Sequence, residues 1–189
     1  MKKLILLTFF LTSGICFSQV ITITHKAYQI HFDTKLHEPV YTHYILTKSM
    51  LNGKNSRTDF HFDSAISESL QNGSSLPGYD KGHLSPDDDF RADTITQAES
   101  MVYTNEAPQA SSFNRGIWHT LENYARKLAE NYNVEIWTGC IYGKTNVPLY
   151  YWKILHYNGV YEAYKMPNLA TTKGSISSFK IDYKTLTLK

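Results

Sequence analysis

Tyr157-Asn158-Gly159 sits between two runs of alternating residues, 150–156 and 159–165. An Asn-Gly pair accepts the left-handed backbone that a two-residue hairpin needs, and few other pairs do. The two runs are therefore read as neighbouring strands joined by a tight turn. That reading excludes an all-helical chain and sets the pattern to look for elsewhere. Residues 20–24 are β-branched and alternate, 28–32 alternate apolar and polar, and 40–47 (VYTHYILT) and 134–138 continue the series. Further strands are read at 100–104 and within 176–183.

One long helix stands against these strands. Residues 115–131 carry Ile117, Leu121, Tyr124 and Leu128 at helical spacing, which makes one apolar face. Ser111, Ser112 and Asn114 are its candidate caps. At about 100° per residue, Arg115, His119, Glu122 and Arg126 fall on the opposite side. The bland reading of that side is a solvated face with an i,i+4 Glu122–Arg126 pair. Shorter helices are expected within 63–71, capped by Asp63 or Ser64, and within 92–99, while 84–89 reads as irregular. No internal repeat or low-complexity linker divides residues 19–189, which read as a single mixed α+β domain.

Residues 1–18 are read apart from the fold. Lys2 and Lys3 precede an apolar run at 4–11, followed by small residues and Cys16-Phe17-Ser18 before Gln19. This is the plan of a secretory signal peptide, cut near Ser18-Gln19. The run is shorter than the roughly 20 residues a membrane-spanning helix needs. Export to the periplasm or the outside of the cell is expected, and stable membrane insertion is not. A lipid-anchored form beginning at Cys16 is the weaker alternative, because Ile15 stands where a small residue is wanted. Loss of Lys2 and Lys3 takes Lys+Arg from 19 to 17, equal to the 17 Asp+Glu. Bulk charge of the processed chain therefore points to no polyanionic partner.

Cys140 is then the one cysteine left, in an apolar run that suggests a buried structural thiol rather than a nucleophile. His25, His31, His37 and His43 recur every six residues. Pro39 and the turn-like Asp33-Thr34-Lys35 break any single strand through them, so the spacing is read as accident and not as a metal site.

Three segments carry chemistry. They are Asp80-Lys81-Gly82-His83-Leu84-Ser85-Pro86, then Thr104-Asn105-Glu106-Ala107-Pro108-Gln109, then Phe113-Asn114-Arg115-Gly116-Ile117-Trp118-His119-Thr120-Leu121-Glu122 with Arg126 one turn on. Each alone has an ordinary explanation: a structural histidine, a capping asparagine, a charged helix side facing water. In this order and spacing they closely resemble the DNA/RNA non-specific endonuclease family, a branch of the ββα-metal (His-Me finger) nucleases. The resemblance extends to 28–47, to Ser56-Arg57-Thr58-Asp59-Phe60, and to Val147-Pro148, Tyr151-Trp152-Lys153 and Met166-Pro167-Asn168.

The resemblance implies an α+β fold: a central antiparallel sheet flanked by helices, with a β-hairpin leading into the 115–131 helix as the ββα-metal motif. It implies a metal-dependent endonuclease that cuts DNA and RNA with little sequence specificity and leaves 5′-phosphates. His83 is implied as general base, a role its ordinary pKa suits near neutral pH. Asn114 is implied as the one direct protein ligand of a divalent ion, Mg²⁺ first and Mn²⁺ or another divalent ion second. Glu122 is implied as a partner of that ion through water. Arg126 and Arg57 are implied as charge clamps on the phosphate, Lys81 and Arg115 as substrate contacts, and Asn105 as a supporting residue.

Two departures keep a second reading open. Lys81 stands where the family has Arg, and lysine cannot make the planar two-point contact with phosphate. Asp87-Asp88-Asp89 is acidic beside a site for a polyanion; it is read as a solvated loop, with cation binding as the alternative. The second reading is a catalytically weakened nuclease fold that acts as a nucleic-acid-binding module. A third, a phosphodiesterase on smaller or lipid phosphates, has no sequence feature of its own.

Overall fold

The computed structural model describes residues 20–186, so the expected leader at 1–18 lies outside the described residues. In chain order the strands are β1 (Val20–Thr24), β2 (Tyr28–Asp33), β3 (Glu38–Leu46), β4 (Tyr79–His83), β5 (Glu106–Ala110), β6 (Val134–Tyr142), β7 (Pro148–Tyr157), β8 (Val160–Pro167) and β9 (Lys180–Ile181). Seven of them form one sheet in the order β1-β2-β3-β6-β7-β8-β9, antiparallel throughout. β4 and β5 form a separate antiparallel pair. The expected Asn-Gly turn is present: Asn158 has φ 48° and Gly159 φ 75°, and Tyr157 pairs with Val160 across it. Two consecutive left-handed residues are what a type I′ turn requires.

One face of the large sheet carries the main core. Ile30, Phe32, Leu46, Val134, Ile136 and Leu155 are fully buried there, packed with Phe113, Trp118 and Leu121 from the helical segment after β5. Each large apolar side chain so buried contributes about 1.5–3 kcal/mol. The opposite sheet face holds a smaller cluster of Tyr41, Trp152, Ile154 and Ala163, partly covered by Ile181, Tyr183 and Leu186. The buried Cys140 fits the structural reading; burial pushes its thiol pKa up, away from reactivity. The four evenly spaced histidines go separate ways. His25 meets Asp63, His31 stacks on Tyr41, His37 sits in a left-handed turn, and His43 meets Glu135.

Local expectations failed where side chains took other partners. The 63–71 segment is a turn with a short 3-10 piece at Glu68–Leu70. The Asp63 carboxylate accepts from Ala65 N and Thr104, while Gln71 bonds both backbone groups of Asp63, and such local bonds compete with a helix. Residues 100–104 hold a single bridge, His61 to Val102, before a 3-10 turn at Tyr103–Asn105. Within 176–183 only Lys180–Ile181 is extended against a neighbour. The helix expected within 92–99 is Thr94–Glu99, capped by Asp93.

The long helix begins earlier than expected. It runs as α-helix at Ser111–Phe113, widens to a π-turn at Asn114–Trp118, and returns to α-helix at His119–Ala129. None of the candidate caps performs that task. Ser111 Oγ and Asn114 Nδ2 both donate to Asp80, so a long-range carboxylate has claimed them.

Candidate active site

β4 delivers Asp80, Lys81 and His83, β5 returns antiparallel beside it, and the helical segment starts immediately after Ala110. This is a ββα unit, although the two strands are joined by a long excursion rather than a tight turn. Three devices hold it. Gly82 lets β4 lie against β5, since a Cβ there would come within 2.3 Å of the Gln109 side chain. Asn105 is fully buried; it accepts from Ser85 N and donates to Ser85 O and Ser100 O, fixing the chain just past His83. Asn168 accepts from Ala110 N and donates to Pro108 O and Pro148 O, tying β5 to the large sheet.

The unit opens onto a cavity of about 260 Å³ lined by Arg57, His83, Pro86, Asp87, Asp88, Arg91, Asn114, Arg115, His119 and Glu122. His83 Nε2 lies 3.1 Å from Met101 Sδ, and its ring packs 4.8 Å from the Phe60 ring. Thioether sulfur only accepts, so Nε2 carries the proton and Nδ1 keeps the lone pair. Burial, then the Arg57 charge, lower the His83 pKa to about 3. The imidazole is neutral at pH 7 and free to accept a proton.

Asp80 organises the opposite wall. Its carboxylate accepts from Ser111 Oγ, Asn114 Nδ2, and Arg115 Nε and Nη2, all within 2.9 Å. Burial works to raise its pKa, but these donors outweigh it and hold the carboxyl below its usual range. A carboxylate can only accept, so the Asn114 amide nitrogen must face Asp80 and its carbonyl oxygen must face away. Glu122 approaches His119 at 3.7 Å, and that nearby carboxylate raises the His119 pKa. Beneath the helix, Lys153 is buried, donates to Thr138 at 2.6 Å and lies 5.2 Å from the Trp118 ring centre. Burial lowers its pKa to about 8, while Glu122 and Asp89 pull it back up.

The π-turn explains how Asn114 and Glu122 reach one cavity. Eight residues of regular α-helix turn about 800°, which leaves the two side chains roughly 80° apart. A widened turn that absorbs one extra residue brings them to within about 20° of one line. Gly116, at φ −104° and ψ −110°, is where the helical path is broken.

The residues singled out in the sequence divide into two groups. His83, Arg57, Asn114, Arg115 and Glu122 meet on the cavity. Asn105 stands behind it as a positioning residue. Lys81 reaches away: Nζ donates to Gly73 O at 2.6 Å and Ser74 O at 3.2 Å, with Glu106 3.7 Å off. Arg126 is not on a solvated face and does not pair with Glu122 as the bland reading had it. It is 13% exposed and donates to Asp89 at 2.9 Å and to Asn123. The acidic triplet is correspondingly no solvated loop. Asp87 and Asp89 are buried, and Asp89 also accepts from Tyr44 at 2.6 Å.

Asp80, Arg91 and His119 join the site without having been assigned to it, as do Pro86, Asp87 and Asp88 on the cavity wall. Asp80 lay inside the quoted motif, and His119 on the polar helix side. Arg91, which pairs with Asp88, carried no spacing signal.

A hydrated divalent cation suits this wall. Asn114 Oδ1, the Glu122 carboxylate and the Asp87 carboxylate, whose buried Oδ2 has no hydrogen-bond partner, are all hard oxygen donors. Among the described residues no group of three His, Cys, Asp or Glu could enclose a metal ion, so a protein cage for a bare ion is not what the wall offers. Around the cavity Arg57, Arg91 and Arg115 balance Asp87, Asp88 and Glu122, which leaves room for an anion and a cation together.

A two-stranded unit feeding a helix, with a histidine on one strand and an asparagine at the helix start, defines a ββα-metal nuclease class of site. The family model described as DNA/RNA non-specific endonuclease matches residues 13–187, and the chain belongs to that family. Nuclease 1, mitochondrial, of Schizosaccharomyces pombe is 32% identical over 129 residues, 62% of this chain and 39% of the relative. A nuclease of a Nostoc species is 36% identical over 98 residues, 48% of this chain and 35% of the relative. The chain thus matches only about a third to two fifths of these relatives' length. A chain in the crystal structure of the EndoG/EndoGI complex superposes with TM-score 0.78 at 24% identity, covering 89% of this chain and 83% of its own, which supports the fold.

Proposed function

We propose that this protein is an exported, divalent-metal-dependent endonuclease that hydrolyses phosphodiester bonds of DNA and RNA with little base preference. The observation that carries the reading is the convergence on one cavity of a neutral imidazole, an outward-facing carboxamide oxygen, a carboxylate and arginines. Arg57 and Arg115 bind the phosphate. Its negative charge offsets that of Arg57 and so lifts the His83 pKa toward a useful value. His83 Nδ1 takes a proton from water as the water oxygen attacks phosphorus. The bond to the 3′ oxygen breaks, that oxygen leaves with the electron pair and is protonated by solvent, and the phosphate stays on the 5′ side of the other fragment. Asn114 would hold a divalent ion, Mg²⁺ by preference, with Glu122 as its partner through water, and the ion would supply neutralisation of the charge gathering on phosphate and leaving oxygen. Asp80 holds Asn114 and Arg115 in register, and Lys153 offsets charge beneath Glu122. A site that grips phosphate and ignores the base tolerates both polymers, and its binding weakens as salt rises.

The positively charged, then apolar, then small-residue order of 1–18 supports export to the periplasm or beyond. The test is incubation of the protein with plasmid and with RNA, in Mg²⁺, in Mn²⁺ and in EDTA. Both polymers are expected to be cut with metal and spared with EDTA, with phosphatase-sensitive 5′ ends. Folded protein that cuts neither with any metal refutes the reading, and intact binding without cutting would favour the binding module.

A further inference from the structure

Arg57, His83, Asn114 and Arg115 line two openings at once. The first continues over Asp87, Asp88, Arg91, His119 and Glu122 and is polar. The second, of about 450 Å³, continues over Asp80, Lys81 and the ring of Phe60, behind which an aromatic row extends. Phe60 is half-buried, and it also lines a further opening with Thr58, Asp59 and Met101. Its ring is tilted 30° to His83 at 4.8 Å and lies 10° from parallel to Tyr103 at 6.1 Å. Phe62, 42% exposed, meets the edge of Tyr103 at 5.1 Å. Arg57 sits 5.7 Å from the Phe60 ring centre and Lys81 4.9 Å from that of Tyr103.

The tie from Lys81 to Gly73 and Ser74 gains a purpose here. It braces Tyr103, which lies so close to Gly73 that a Cβ there would come within 2.9 Å of the ring. A braced aromatic row, open to water and flanked by cations, leaves apolar surface exposed at the edge of a phosphate-binding groove.

We propose that this wall is a base-stacking subsite: a nucleotide adjoining the scissile phosphate lays its base against Phe60, and the site prefers unpaired strand to duplex. The proposal rests on the phosphodiester-hydrolase reading above. With the scissile phosphate at the four shared residues, the adjoining nucleotide enters the second cavity, whose volume lies in the usual range for a small-molecule site. Every base has a π-face, so stacking adds affinity without reading sequence. A duplex base is already stacked and paired, and reaches the wall only after both are broken.

The test compares kcat/KM on oligothymidylate, on its duplex with oligoadenylate, and on an abasic deoxyribose-phosphate strand of equal length. The oligothymidylate and abasic strands carry the same phosphates, so charge contacts cancel between them; the duplex adds a second strand of phosphates, which by charge alone would favour it. The parent is expected to favour oligothymidylate over both others by about fivefold or more, the lower end of base–aromatic stacking. Phe60→Leu, which keeps an apolar contact on His83, brings the ratios near one, and Phe60→Trp retains them. Equal parent rates on oligothymidylate and the abasic strand overturn the proposal. So does a Phe60→Leu variant slowed by a common factor on all three, which would make Phe60 only a support for His83. A parent that cuts none of them refutes the hydrolase reading itself, a separate result.

Discussion

Arg126→Met isolates the most heavily buried charge pair around the site. Asp89 is 3% exposed and Arg126 13%, with Nη1 to Oδ1 at 2.9 Å. Removing one partner of such a pair leaves the other buried and unpaired, which costs about 3–5 kcal/mol. For a domain of this size, each kcal/mol moves the melting temperature by about 2–4 °C, so the variant should melt roughly 6–20 °C lower at neutral pH. The penalty has a predictable pH dependence. Burial raises the Asp89 pKa, and Arg126 is the first influence that opposes the rise. Without Arg126 the folded pKa rises further above the unfolded value, so the native state binds the extra proton. The penalty therefore shrinks as pH falls toward 5 and grows as pH rises. Asp89→Asn in the Arg126→Met background removes the stranded charge while keeping an acceptor for Tyr44, and should recover at least about 2 kcal/mol. Thermal melts by circular dichroism from pH 5 to pH 8 read all of this. A single variant that loses less than about 1 kcal/mol at every pH behaves like an exposed pair and refutes the reasoning.

His83→Ala should lower cleavage by about 10²–10⁴, the usual contribution of a general base, with the melting curve unchanged; an active variant removes His83 from the mechanism. Gly82→Ala drives a Cβ to 2.3 Å from Gln109 and should destabilise by about 1–3 kcal/mol in urea unfolding; a neutral result means β4 and β5 can separate freely. Burial lifts Glu38 from 4.5 to about 8, against hydrogen bonds from Asn72 and Asn146. The native state then holds a proton the unfolded chain lacks, so stability falls as pH climbs from 4.5 to 8. Glu38→Gln, which keeps a carbonyl acceptor, should flatten that slope, and an unchanged slope would locate its cause elsewhere.

What could be read from the sequence depended on how local the cause was. Strands β2, β3, β7 and β8 announce themselves by alternation, and the Asn158-Gly159 turn by its backbone demand. β5 has no such signature, because all five of its residues are buried and no polar face marks the period. The helix start was misplaced because Asp80, more than thirty residues away, holds the side chains that would cap it. Motif order brought His83, Asn114, Glu122, Arg57 and Arg115 to one cavity. It did not separate Arg126 and Lys81 from them, since their partners lie far along the chain at Asp89 and in the Gly73–Ser74 backbone. Uniform helical rotation also fails at 114–118, where the wide turn shifts every later residue.

That wide turn makes the match between segment length and local winding the guarded quantity between Asn114 and Glu122. Deleting one residue there would let the hydrogen-bond ladder run unbroken and would give a smoother, sturdier helix. It would also leave the asparagine and the carboxylate within about 20° of one line, because seven regular residues turn about 700°. Substitutions that straighten the helix at its present length would instead leave the two side chains about 80° apart, so heat resistance gained that way would cost the site its geometry.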